Sequence, residues 1–228
     1  MSTVHSTVGT RGLEDVVASP SSICFIDGNQ GILAYRGYDI HDLAERSSFE
    51  ETAFLLWFGK LPTAAELASL KEELRQASTL PPSALQLLAT FHANTAGALP
   101  IDVLRTSVSA LGLSDPDARA MDREANVRKA IRLLAQTATL VAALDRVRKG
   151  KQVVGPAADL SLAGNFLYML NGERPSATAE RAFDIALILH ADHEFNASTF
   201  AARVTAATLS DMHSAVTSAV GALKGPLH

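Results

Sequence analysis

Arg123-Glu-Ala-Asn-Val-Arg-Lys-Ala-Ile-Arg-Leu-Leu-Ala-Gln-Thr-Ala-Thr-Leu-Val-Ala-Ala-Leu-Asp-Arg-Val-Arg-Lys149 is the stretch whose reading decides the fold. Val127, Ile131, Leu134, Ala138, Val141 and Leu144 recur at steps of three and four, the spacing that gathers apolar side chains on one face of an α-helix. It is the longest helical pattern in the chain, and the segments on either side of it also read as helices.

Toward the amino end, Ser47-Ser-Phe-Glu-Glu and Thr63-Ala-Ala-Glu match the capping box, in which a hydroxyl and a carboxylate satisfy orphan N–H groups reciprocally. The first predicts a helix to about Phe58, closed by Gly59 and followed by Pro62. The second predicts a helix to about Ala77, closed by Pro81-Pro82. Pro100 stands where a first-turn proline is tolerated, ahead of Ile101-Asp-Val-Leu-Arg-Thr-Ser-Val-Ser-Ala-Leu. Toward the carboxyl end, helices are predicted over about Leu160–Leu170, Ala177–His190, Ser198–Leu209 and Met212–Leu223, the last broken by Gly225-Pro226. Small residues dominate the last two, which allows close helix approach and predicts an interior or interfacial place for them. One region differs: Ile23 to Arg36 sets two apolar runs around a Gly- and Asx-rich centre, a β-hairpin signal. The expectation is a mainly α fold in one body over residues 12–228, with a short N-terminal β-hairpin and a disordered tail over 1–11.

Composition narrows the function. The chain has 228 residues, 47% hydrophobic and 19% charged, which is globular and not disordered. A net charge of −4 without a cluster of Lys and Arg argues against nucleic acid as a partner. Cys24 is the single cysteine, so no internal disulfide forms, which fits a reducing compartment. The start has no basic region followed by an apolar run, and Leu133–Leu144 is too short to span a bilayer. A cytoplasmic protein with no membrane partner is expected.

The histidines are His5, His41, His92, His190, His193, His213 and His228. His190 and His193 lie three apart in Ile188-Leu-His-Ala-Asp-His-Glu-Phe-Asn-Ala-Ser-Thr, which puts both rings roughly on one helix face. Three readings stand there. Imidazole can partner the last carbonyls of a helix, the pair can bind a metal, or His193 can donate to an anionic substrate. The metal reading is the weakest, since the spacing is not His-Glu-x-x-His and no third ligand is evident. Ala222-Leu-Lys-Gly-Pro-Leu-His228 reads as a helix running into a tight loop that presents an imidazole, or as a tail that ends in histidine. Phosphate-binding glycine motifs and a nucleophile elbow are absent from the sequence. Cys24 has no nearby basic partner and reads as a small buried hydrophobe. Asp192 and Glu194 read as solvated, or as fixing the tautomer of His193.

Several blocks together resemble the bacterial citrate synthases. They are Gly12-Leu-Glu-Asp-Val-Val, Phe25-Ile-Asp-Gly-Asn-Gln-Gly-Ile-Leu-Ala-Tyr-Arg-Gly-Tyr-Asp-Ile, Ser47-Ser-Phe-Glu-Glu-Thr-Ala-Phe-Leu-Leu and Asn165-Phe-Leu-Tyr-Met-Leu-Asn-Gly, then the Ile188 block and Leu223-Lys-Gly-Pro-Leu-His. They stand in that family's order from residue 12 onward.

The resemblance implies a citrate-synthase-like multihelical large domain, incomplete, from an α-helical homodimer or higher oligomer. It implies condensation of oxaloacetate with acetyl-CoA, in which acetyl-CoA is a substrate and no cofactor takes part. His193 matches the residue that hydrogen-bonds oxaloacetate, and His228 matches the catalytic histidine that donates to the acetyl-CoA carbonyl oxygen. In that family the chain continues beyond the Gly-Pro-x-His loop and supplies the aspartate base, a further histidine, most substrate-binding arginines and the small domain. These 228 residues alone are therefore expected to be catalytically silent and to self-associate. Rival readings are a 2-methylcitrate synthase of the same fold and a non-catalytic, all-helical dimerisation module.

Overall fold

The computed structural model describes residues 20–94 and 97–228. The expected tail over 1–11, the Gly12 block, His5 and the side chain of His92 lie outside the described residues.

Strands β1 (Cys24–Asp27) and β2 (Ile32–Tyr35) pair antiparallel, with Cys24 opposite Tyr35 and Asp27 opposite Ile32. The Asp27 carboxylate closes the turn by accepting the amides of Asn29 and Gln30 at 2.9 and 3.0 Å. A two-residue β3 (Tyr38–Asp39) adds to the far edge of β2, a strand the hairpin reading did not include. Asp39 then caps α1 (Ile40–Arg46) by accepting from the His41 amide.

Both capping boxes form. Ser48 and Glu51 open α2 (Phe49–Phe58), which Gly59 closes in the left-handed conformation at φ 77°. Thr63 and Glu66 open α3 (Ala64–Ala77). Pro82 does more than stop a helix, because it is the first residue of α4 (Pro82–Asn94), where a missing N–H leaves no bond unmade. Pro100 likewise begins α5 (Pro100–Leu111), and the 26-residue α6 runs Arg123–Arg148. The remaining helices are α7 (Leu162–Asn171), α8 (Ala177–Leu189), α9 (Ala197–Ala207) and α10 (Met212–Leu223).

The apolar stripe read on α6 packs against the core, and the helix buries residues beyond it. Of those six positions only Ile131 is fully buried, while Leu133, Ala135, Leu140, Ala142 and Ala143 are buried off the stripe. Leu133 and Leu140 enter a cluster with α4 and α5, Ile131 and Ala135 enter another with α2 and α3, and Leu134 touches the hairpin cluster. A helix apolar on several sides is a central helix, and alanine lets its neighbours approach.

Of the two places expected for the last two helices, the interior one does not hold for α9. The two helices pack along one another, joined by Thr205 Oγ1 donating to Ser218 Oγ at 2.9 Å. Yet α9 has no buried residue, and Val204 and Leu209 are 53% and 80% exposed. Small side chains on one face satisfy α10, and the opposite face of α9 is left open to solvent.

α10 is held to the body by His213. Its side chain is 2% exposed, and Nε2 lies 3.3 Å from Asp115 Oδ2. Asp115 is itself gripped by Arg132 at 2.9 and 2.7 Å. Burial, helped by the charges of Arg132 and Lys129, pushes the His213 imidazole below its ordinary 6.5 despite Asp115 and Asp211. The folded chain then resists a proton that the unfolded chain accepts, so stability falls as pH drops below 6.5. The carboxylates, with ordinary values of about 4, act in a lower window. Thermal melts should show the midpoint falling between neutral pH and the low sixes, and His213→Gln should flatten that fall. An unchanged slope in the variant contradicts this.

Candidate functional site

The hairpin builds the first part of the site. Helix α8 ends at Leu189, and its last carbonyls need partners that the helix cannot provide. His190 Nδ1 donates to Ala186 O at 2.7 Å, which makes His190 a helix-end cap, as one reading of the sequence had it. The Tyr35 hydroxyl, fully buried, faces Ile188 O, Leu189 O and Asp192 O at 3.1, 3.3 and 3.1 Å. It also accepts from the Asp192 amide at 3.3 Å.

Because the helix stops before His193, the two imidazoles do not share a helix face; the three-residue spacing straddles the helix end. His193 is exposed in the loop between α8 and α9. Asp192 and Glu194 on either side are half-buried and structural instead of solvated. Glu194 Oε1 accepts from the Ile26 amide of β1 at 3.1 Å, and the Glu194 amide donates to Asp192 Oδ1 at 2.9 Å. Burial, with the Asp192 charge beside it, pushes the Cys24 thiol up to about 12, so it is an inert small hydrophobe.

The second part of the site lies where α9 begins and α10 ends. Asn196 caps α9 by accepting from the Thr199 amide at 3.0 Å. In the first turn, Ser198 Oγ lies 2.9 Å from Ala219 O on α10 and 2.7 Å from His228 Nε2. The hydroxyl has one proton and two places to give it. Given to Ala219 O, it leaves Nε2 as the ring's donor; given to Nε2, it leaves the proton on Nδ1, free to serve a ligand. Lys224 fixes the same helix end to α5 by bonding both oxygens of Asp102 at 2.7 and 2.9 Å. The loop then turns, with the His228 amide donating to Gly225 O at 3.1 Å.

Sequence reasoning missed Ser198, although it stands five positions after His193 in the block that was singled out. The signal that could have found it, a hydroxyl in the first turn of a helix, is common and does not name its partner. Among the described residues no group of three or more His, Cys, Asp or Glu is placed to hold a metal ion. No helix among them is long and apolar enough to cross a membrane. A cavity of about 540 Å³ between α6, α7, α8 and α10 is lined by Leu134, Phe166, Phe183, Met212 and other apolar groups. It includes neither His193 nor His228 and suits packing better than polyanion chemistry.

A family model described as the citrate synthase C-terminal domain matches residues 12–228. Citrate synthase 2 of Bacillus subtilis is 52% identical over 219 residues, which are 96% of this chain and 58% of that protein. A 2-methylcitrate synthase of Mycobacterium tuberculosis is 47% identical over 96% of this chain and 54% of its own length. The crystal structure of citrate synthase from Pyrobaculum aerophilum matches with a TM-score of 0.90 and 40% identity, covering 100% of this chain and 61% of that one. A Thermoplasma acidophilum citrate synthase, solved as a ternary complex with carboxymethyl coenzyme A and oxaloacetate, matches with a TM-score of 0.86 and 30% identity over 95% and 56% of the two chains. The chain thus spans a little under three-fifths of the length of curated citrate synthases that it matches. It belongs to the citrate synthase family.

Proposed function

We propose that this chain carries one half of a citrate synthase active site, for condensation of oxaloacetate with acetyl-CoA and release of citrate and CoA by water. The observation that supports this best is the Ser198–His228 pair, an imidazole held by a hydroxyl at a helix junction. Removing a proton from a thioester methyl group is hard unless the charge growing on the carbonyl oxygen meets a donor already aimed at it. In the tautomer where Ser198 gives its proton to Nε2 instead of to Ala219 O, His228 presents Nδ1–H for that purpose and needs no net charge to do so. His193, exposed in the neighbouring loop, is assigned to the oxaloacetate carboxylate or carbonyl. The similar structure from Thermoplasma acidophilum, solved with oxaloacetate and a coenzyme A derivative, supports that substrate pair. The family's enzymes work without a cofactor, and acetyl-CoA enters as a substrate.

The resemblance implies that the aspartate base and most arginines for the two polyanions lie in the part of the relatives that this chain does not cover. A coupled thiol assay on residues 1–228 should therefore show no CoA release above a His228→Ala control; release above it contradicts the proposal. Joined to the remaining segment of the Bacillus subtilis relative, the chain should turn over, and His228→Ala should lower kcat by about 10²–10³. Ser198→Ala should lower kcat in the same direction by less, with KM for oxaloacetate little changed. A kcat in either variant equal to that of the parent joined protein counts against the assignment.

The relative named 2-methylcitrate synthase supports a second reading, with propionyl-CoA in place of acetyl-CoA. The ratio of kcat/KM for the two acyl-CoAs in the joined protein decides between them.

The open face of α9 and the exposed Leu209, Leu223 and Leu227 support self-association as a homodimer or larger assembly. Sedimentation at micromolar concentration should show a dimer or larger species, and a compact monomer contradicts this.

A further inference from the structure

We propose that Tyr35 and Glu194 are positioning residues for His193: the hairpin pins the loop backbone on both sides of that residue so that its imidazole is presented in one place. The inference rests on the assignment of His193 to oxaloacetate. On one side, the Tyr35 hydroxyl meets both polar groups of Asp192, accepting from its amide at 3.3 Å and facing its carbonyl at 3.1 Å. On the other side, the Glu194 carboxylate accepts from the Ile26 amide at 3.1 Å. Residues 192 and 194 are thus tied to β2 and β1, while the side chain between them is exposed.

Packing alone does not call for this arrangement. Tyr35 is completely buried, and a phenylalanine would fill the same volume; the hydroxyl is needed only for the polar groups of residues 188–192. Glu194 adopts φ 55°, a left-handed conformation that a residue with a β-carbon adopts only when its surroundings impose it. Its carboxylate also covers an amide on β1, an outer strand of the sheet, which would otherwise be open. Three carbonyls share one phenolic proton, so the hydroxyl secures the helix end and the His193 loop as one unit.

Two measurements test this. In hydrogen exchange on the 228-residue chain, Tyr35→Phe and Glu194→Ala should each speed exchange over residues 190–196 about tenfold and leave α5 and α6 unchanged. Glu194→Gln keeps a side-chain oxygen for the Ile26 amide and should stay near the parent. In the joined protein, Tyr35→Phe should raise KM for oxaloacetate severalfold while kcat stays within about twofold. Unchanged exchange over 190–196 overturns the proposal. So does an unchanged KM in Tyr35→Phe when His193→Ala raises it. If His193→Ala itself leaves that KM unchanged, the substrate assignment fails, and the positioning role fails with it.

Discussion

A helix end leaves its last carbonyls in need of partners from elsewhere, and the contacts made around the end of α8 tie the hairpin to the loop that follows. The His190 ring adds a second donor to Ala186 O, which already accepts the His190 amide, and the Tyr35 hydroxyl shares its one proton among Ile188 O, Leu189 O and Asp192 O. Each such bond contributes only about 1 kcal/mol net, but an unmade one in a buried place costs more. The hairpin is therefore not an ornament on a helical body. It supplies a buried hydroxyl that faces the end of α8, and the chain emerging from that end carries His193.

The second junction is built from the opposite chemistry. α9 and α10 approach through alanine, serine and threonine, and the cross-links between them are single hydroxyls such as Ser198 to Ala219 O. That closeness lets a first-turn serine reach a histidine 30 residues further along the chain. Lys224 on Asp102 and His213 on Asp115 hold α10 to the rest of the body, so the loop carrying His228 starts from a fixed helix. Neither the apolar cavity beneath α6 nor the exposed leucines takes part in this.

What the sequence made legible was local. Ser48 with Glu51 and Thr63 with Glu66 are three residues apart, and both boxes formed as read because the partners lie within one helical turn. Pro100 and Gly59 act on their own backbone and were equally plain. The α6 stripe gave only part of what that helix buries, because burial depends on neighbours: Leu140 and Ala142 are covered by elements whose positions periodicity does not contain. Tyr35 and Ile188 are 153 residues apart, and nothing in either local pattern names the other. The resemblance to a family picked out His193 and His228, but the groups that hold them, Tyr35, Glu194 and Ser198, required coordinates. Asp192 and Glu194 were read as solvated or as fixing the tautomer of His193, and both instead bond to backbone or to the hairpin.

The central claim is that His193 and His228 serve one pocket. A crystal structure of the joined protein grown with oxaloacetate and a coenzyme A analogue tests it most directly. The account predicts oxaloacetate within hydrogen-bonding distance of the His193 ring and the analogue's carbonyl oxygen at Nδ1 of His228, with Ser198 still on Nε2. Ligand bound away from both imidazoles, or the two rings facing separate sides of the body, would contradict it.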